Sequence, residues 1–493
     1  MTSMVSDMLT IQHTLTPSPH ALNEQIFQGG NPEHPTIDVL PEEILLEIFD
    51  FYRLDAINNS RGRPWKWQRL AHVCQKWRHV VSGSPLRLGL QIYCKSGVPI
   101  EPILDLWPTL PLVVRFRGPK SKALHNNFLV ALRHPDRVCK IDLILPSSII
   151  PSIEIQESFL ALERIQITSC NSSGTPVLTN FLGGSAPRLT SIAVDGVAVP
   201  FPALRQILLS TNNLVRLQLD NITSAGYFSP DAIVTVVSDP ALARLKILHL
   251  HFHLSALRPI SSRVSGPFIE RATLPSLTFL SFRGAHDYLE GVVARIDTPA
   301  LIFTWITFYD QLIFETQQLC QFVSRMGKLT SLRDVVVQPG SNGITISLCQ
   351  RANRERQRWE CELRMLCRGL DLQLSFATQI LCQLSPHLSR VFQLKVVTDK
   401  YSEQSAWEED LDLTQWQEIF QHIPPIIWLD VAEQFLPGVV HALVTEGITT
   451  GTFPRLRGLS LRGYHKYPSV RKEIERFVAA RKLTGHNISV YGR

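Results

Sequence analysis

At 493 residues, with 44% hydrophobic and 19% charged positions, the chain can hold two or three domains, or a small module joined to an extended repeat array. This composition excludes a disordered polymer. The net charge of +6 is dispersed over 49 basic and 43 acidic residues, which leaves no basic stripe for nucleic acid, and no apolar run reaches the roughly 18 residues of a membrane span. Nine scattered cysteines without a C-x-x-C pair, and no basic-then-apolar leader, point to free thiols in a reducing compartment, so a cytoplasmic or nuclear location is expected.

Residues 1–36 are rich in Thr, Ser, Pro, Asn and Gln without a sustained period and read as a disordered N-terminal arm. Two helices are predicted next. In the first, Pro41 opens the helix without needing a backbone donor, Glu42 and Glu43 put negative charge in the first turn, and Ile44, Leu45, Ile48, Phe49 and Tyr52 recur at helical spacing. In the second, Leu70, Val73, Cys74, Trp77, Val80 and Val81 form a stripe that Gly83 and Pro85 stop, after a long connection from Arg53 to Lys66. Two short apolar helices bury too little surface to stand alone, because units below about 40 residues need other support.

Leu40-Pro41, the Glu43-Ile44-Leu45-x-x-Ile48-Phe49 run and Val73-Cys74-x-x-Trp77 resemble an F-box of the fungal type, over residues 37–86. The resemblance implies docking on a Skp-type adaptor and, through it, a cullin-RING ubiquitin ligase of the SCF type, while the rest of the chain captures a protein substrate. It also implies that Leu40, Pro41, Ile44, Leu45, Ile48, Val73, Cys74 and Trp77 face the adaptor. The alternative is a protein-interaction scaffold with no ligase role, in which the helices cap the array.

From Leu86 the character changes, with Leu86–Ile92 expected as a first short strand. Apolar residues then fall at first, fourth and sixth positions in Val138-Ile141-Leu143, Leu162-Ile165-Ile167, Leu189-Ile192-Val194, Leu214-Leu217-Leu219, Leu245-Leu248-Leu250, Leu277-Leu280-Phe282 and Leu332-Val335-Val337, and again from Ile426 and Leu456. Leu301 to Ile306 fits with Thr304 in the middle. Neighbouring anchors between 138 and 277 lie 24 to 32 residues apart, straddling the roughly 20 to 29 of leucine-rich repeats, whose strand motif is L-x-x-L-x-L. The expected fold is therefore α/β: an N-terminal helical module followed over 87–493 by an irregular leucine-rich-repeat-like solenoid, a curved parallel sheet with helices on the convex side. Helices are expected at Ala203–Ser210, Asp231–Ser238, Thr316–Met326, Ala377–Leu384, Thr414–Ile423 and Val470–Leu483. An irregular insertion is expected at about 339–385, where Ile344–Leu348 and Trp359–Leu366 pair as a hairpin around the charged tip Arg351–Arg358.

Strand side chains alternate, so residues beside the inward fourth and sixth positions point outward: Arg216 and Gln218, His249 and His251, Ser281 and Arg283, Trp305 and Thr307. Arg216, His249, His251, Arg283 and Trp305 are the candidate substrate contacts, because stacked-strand faces bind partners and Trp and Arg dominate interface energies. His249, His251 and His253 alternate as metal ligands can, yet no further ligand can be assigned from sequence, so neither a metal nor another cofactor is expected. No phosphate-cradling loop, G-x-G-x-x-G, H-E-x-x-H or G-x-S-x-G is present, and an enzyme is not expected.

Overall fold

The computed structural model describes residues 39–492 apart from 60–68, 86, 95–98, 118–121, 149, 151–154, 156, 171–174, 180, 257–270, 310–315, 327–331, 351–358, 399–413, 424–425 and 450–452. The expected arm and the Arg351–Arg358 tip lie outside the described residues. The architecture is mixed α/β, with helices in the 37–86 region and one large sheet.

Helix α1 (Glu42–Asn59) follows Pro41, whose carbonyl accepts the first helical bond from Leu45 N at 3.1 Å. Glu42 and Glu43 sit where the helix N-terminus is partly positive. Helix α2 (Gln75–Gly83) is shorter than its apolar stripe, because Cys74 is extended and its Sγ accepts from Trp77 N at 3.5 Å, an N-cap that starts the helix at Gln75. Leu70 and Val73 precede it.

The first strands are β1 (Ile92–Cys94), β2 (Leu112–Arg117), β3 (Val138–Leu145), β4 (Arg164–Ser169), β5 (Ser191–Asp195), β6 (Arg216–Ile222) and β7 (Ile247–Phe252). A small strand β8 (Ala272–Thr273) precedes β9 (Phe279–Gly284), and another, β10 (Ile296–Asp297), precedes β11 (Phe303–Phe308). Then come β12 (Asp334–Gly340), β13 (Gly343–Cys349), β14 (Trp359–Met365), β15 (Gln393–Val396), β16 (Trp428–Val431), β17 (Gly458–Leu461) and β18 (Ser489–Gly492). Among the described residues sixteen strands form one sheet in the order β1-β2-β3-β4-β5-β6-β7-β9-β11-β14-β13-β12-β15-β16-β17-β18, while β8 and β10 pair apart from it.

All neighbours in the sheet are parallel except β12–β13 and β13–β14. The parallel part follows from the apolar triplets. Leu189, Ile192 and Val194 are buried, as are Leu214, Leu217 and Leu219, and Leu245, Leu248 and Leu250, with intermediate or exposed residues between them in β5, β6 and β7. Each fully buried side chain of this size contributes about 1.5–3 kcal/mol. The first residue of each triplet enters the core ahead of the strand, and the residue after it donates to the preceding unit: Val215 N to Thr190 O, Lys246 N to Val215 O, and Thr278 N to Lys246 O, at 2.8–2.9 Å.

Three expectations change. The helix expected at Ala377–Leu384 begins seven residues earlier, at Leu370. The stretch expected as a strand from Leu86 holds one only at Ile92–Cys94, because a turn with Gly89 at φ 57°, a left-handed conformation glycine adopts without strain, fills residues 87–89. The Leu332 unit does not lie beside the Leu301 unit: β14 and β13 come between β11 and β12. Ile344, Ile346 and Leu348 of β13 and Cys361, Leu363 and Met365 of β14 alternate into the same buried layer, so the hairpin widens the sheet instead of leaving it.

The helices after α2 are α3 (Glu101–Leu106), α4 (Lys122–Leu132), α5 (Phe201–Ser210), α6 (Pro230–Val237), α7 (His286–Val293), α8 (Gln317–Arg325), α9 (Leu370–Leu384), α10 (Thr414–His422), α11 (Leu436–Thr449) and α12 (Pro468–Leu483). They bury apolar faces that join the strands in one core, as Leu204, Ile207 and Leu208 of α5 do. In α9, Gln373 is fully buried; its Nε2 donates to Gly340 O at 2.8 Å and Cys367 O at 3.1 Å, and its Oε1 accepts from Gly340 N at 3.3 Å. Gly343, at φ 153°, closes the β12–β13 turn where a Cβ would lie 2.1 Å from Met365 O.

Candidate functional site

Two surfaces concentrate chemistry, and the first is the outer face of the N-terminal helices. Leu45, Leu46 and Phe49 of α1 and Val80 and Val81 of α2 are buried, in one core with Leu88, Leu90 and Ile92. Phe49 and Trp77 clamp the helices edge to face, with ring centroids 4.8 Å apart. Lys76 Nζ donates to Leu40 O at 2.9 Å, and Arg78 Nε to Ala71 O at 3.0 Å, which fixes the segments leading into both helices.

The opposite side is apolar and open. Val39 is 72% exposed, Ile44 42%, Ile48 38%, Phe51 75% and Val73 56%. Of the residues expected to face an adaptor, Pro41, Ile44, Ile48 and Val73 are exposed, and Leu40, Cys74 and Trp77 are half-buried. Leu45 is corrected: it is completely buried in its own chain. The helical repeat explains this, because Ile44, Ile48 and Phe51 share one face while Leu45, Phe49 and Tyr52 lie about 100° round. Val39 and Phe51 escaped the sequence reading, although Phe51, seven residues after Ile44, carries the same periodic signal.

The second surface is the outer face of the sheet. Register aligns Gln218, His249, Ser281, Trp305 and Glu362 in one row across β6, β7, β9, β11 and β14. Arg216, Arg283 and Trp305 are exposed, and His249 and His251 are half-buried. Arg283 lies over the Tyr309 ring at 5.5 Å. Ser281 and Thr307, expected to be exposed, are buried. Ser281 is covered by its bonded neighbour: His251 Nε2 lies 2.7 Å from Ser281 Oγ.

That bond is part of a chain. His251 Nδ1 lies 2.7 Å from Asp220 Oδ1, Gln218 Nε2 donates to Asp220 Oδ2, and Arg216 donates to Gln218 Oε1 at 2.8 Å. His249 stacks on Phe279 with centroids 5.1 Å apart and stands 5.8 Å from the His251 ring. His253, expected to continue the histidine row, lies past the end of β7, and a carboxylate from the neighbouring strand takes the third place. Asp220 follows the last leucine of its triplet just as His251 follows Leu250, so aligning the triplets points to the pair.

Burial pulls the His249 pKa down to about 4, with the neighbouring charge of His251 adding to it, so the ring is neutral near pH 7. Burial alone pushes Asp220 up, but the hydrogen bonds from His251 and Gln218 outweigh it and hold the carboxyl below its usual range. Burial also raises the Glu362 carboxyl, which sits beside Trp305 in register. The order carboxylate, imidazole, hydroxyl is that of a nucleophilic triad, yet Ser281 is only 2% exposed and its hydroxyl is engaged by His251. The cavity adjoining Asp220 has a volume of about 20 Å³ and is otherwise lined by groups such as Val194, Leu219 and Phe228, room for a water molecule and no more.

Residues 37–86 match the F-box-like family model. The chain therefore carries an F-box-like domain, of the kind that typically mediates binding to Skp-type adaptors in SCF ligases. No curated protein matches the chain. None of the nine cysteines is in a disulfide, and among the described residues no helix is long and apolar enough to cross a membrane.

Proposed function

We propose that the chain is a substrate receptor of an SCF-type cullin-RING ubiquitin ligase. Its N-terminal helices dock on a Skp-type adaptor, and the large sheet, a leucine-rich-repeat-like solenoid, holds a protein substrate. The observation that carries the reading is the open apolar face formed by Val39, Ile44, Ile48, Phe51 and Val73 within the F-box-like match. Scattered exposed apolar residues are ordinary, but Ile44, Ile48 and Phe51 recur on one face of a single helix, with Val39 and Val73 exposed on the segments leading into the two helices, and such a face marks a partner site. Covering these side chains, at about 1.5–3 kcal/mol each for full burial, is sufficient in scale for a stable interface. The solenoid reading is supported by the apolar triplets, the parallel register and the helices between strands.

The receptor does no bond chemistry. It raises the effective concentration of a substrate lysine beside a ubiquitin-charged enzyme held on the cullin. Arg216, His249, Arg283 and Trp305, with His251 behind them, contact the substrate, and the assembly works in the cytoplasm or nucleus, away from nucleic acid and membrane.

One observation favours a second reading, a scaffold outside any ligase: the inner faces of α1 and α2 share a core with Leu88, Leu90 and Ile92, as a cap would. Co-expression with a Skp-type adaptor separates the two. The unaltered chain is expected to co-purify with the adaptor, and the double variant Ile44→Glu, Ile48→Glu to lose it while keeping its melting temperature. A chain that never co-purifies, or a double variant that still does, overturns the ligase reading.

A further inference from the structure

We propose that Asp220, His249 and His251 form a binding site for a divalent first-row transition ion of the zinc class on the outer face of the sheet. One ligand atom from each of the three lies within 4.8 Å of the other two. Two imidazoles two residues apart on β7 share a face, and β6 supplies the carboxylate at hydrogen-bond distance from the second of them. Imidazole nitrogen with carboxylate oxygen is a donor set suited to zinc and its neighbours and poorly suited to magnesium or calcium, which prefer oxygen alone.

The groups around the three behave as the outer shell of such a site. Metal-bound histidines are oriented by a hydrogen bond from the ring nitrogen that does not ligate, and His251 has that partner in place, with Nε2 2.7 Å from Ser281 Oγ. With the ion on Nδ1, the single imidazole proton sits on Nε2 and donates to Ser281 Oγ, whose hydroxyl hydrogen turns away. Asp220 is held through its other oxygen by Gln218, which Arg216 in turn holds. The stack on Phe279 holds the second ring, His249. The ion would replace the proton between His251 Nδ1 and Asp220 Oδ1, now 2.7 Å apart. Bonds of about 2.0–2.2 Å in a tetrahedral site space ligands by roughly 3.3 Å, so this contact opens by only about half an ångström.

Three protein ligands leave the fourth position open to water or to a donor from a bound partner, as in sites that are not purely structural. Arg283 stands on the neighbouring strand β9 and Trp305 on β11 beyond it, so an ion here sits close to the residues proposed to hold substrate. The site itself does not depend on that assignment, because ion binding is measured on the chain alone.

The full chain, stripped with chelator, is titrated with Zn2+ by calorimetry, and Co2+ is added separately for its visible spectrum. Expected is one strong site per chain that His249→Ala and Asp220→Asn each weaken at least about 100-fold and that Ser281→Ala weakens about 10-fold, the usual scale for an outer-shell group. The exposed His465→Ala should leave it unchanged. No strong site, or one that persists in the His249→Ala, His251→Ala double variant, overturns the proposal. If a variant lowers the metal-free melting temperature, the Co2+ spectrum of the unaltered chain decides: intense bands of a four- or five-coordinate ion support the site, and the weak band of hydrated Co2+ overturns it.

Discussion

The outer faces of the N-terminal helices and of the sheet solve opposite problems. The helical face is apolar and open, with Val39, Phe51 and Val73 each more than half exposed. The sheet face is polar and largely paired within itself, from Arg115–Asp142 at 3.1 Å through the Arg216, Gln218, Asp220, His251, Ser281 chain to Lys395–Asp334 at 3.5 Å and Arg462–Asp430 at 3.3 Å. An apolar face gains free energy from any well-fitting cover, so it suits permanent docking. A satisfied polar face gains only where a partner replaces the bonds it breaks, so it suits selection among partners.

The sharpest way to break this contrast is within α1 itself. Leu45→Ala should destabilise the chain by about 2–5 kcal/mol, since it leaves a cavity in a filled core. Ile48→Ala, three residues on, should change stability by no more than about 0.5 kcal/mol and act on adaptor capture instead. Urea melts of both variants test this, and equal losses of stability would mean that the two faces are not distinct.

In the sheet, Gln373→Leu should cost about 1–3 kcal/mol by leaving the buried Gly340 N–H and the Gly340 and Cys367 carbonyls without this partner. Asp142→Asn on the open face weakens an ion pair with a partly exposed Arg115 and should cost about 1 kcal/mol. The contrast between them separates bonds that hold the fold from bonds that only occupy the surface.

His249 offers a gentler probe. The unfolded chain takes up a proton at this ring near its ordinary pKa of 6.5, and the folded chain only near 4, so the unfolded state binds more protons between those values. Stability should therefore decline as pH falls from about 6.5 towards 4, and His249→Phe should flatten that part of the curve. Thiol reactivity gives the finest test. Cys170 and Cys382 are exposed, whereas burial pushes Cys94 and Cys320 up to about 12 and Cys139 up to about 11. Alkylation of the native chain near pH 8, read by mass spectrometry, should mark the first two well before the other three.

Much of this was legible in the chain. The triplets marked nearly every parallel strand from β3 to β11, because burial of one sheet face imposes a period of two on the residues themselves. The helices at Phe201–Ser210, Pro230–Val237, Gln317–Arg325, Thr414–His422 and Pro468–Leu483 fell within two residues of expectation. The pairing of Ile344–Leu348 with the strand from Trp359 was visible too, as two alternating runs flanking a charged stretch. Short strands and helices without a full triplet or stripe, such as Leu112–Arg117 and His286–Val293, were not.

What the sequence by itself determined is local: which residues are apolar, at what period, and where a helix or strand can begin. Only the tertiary structure decided that β14 lies beside β11, that Leu45 turns inward while Ile44 and Ile48 remain open, and that Asp220 of β6 meets His251 of β7. Each of these is a choice of neighbour made by hydrogen bonds and packing between segments far apart in the chain, and a local pattern names the face a residue needs without naming what will cover it.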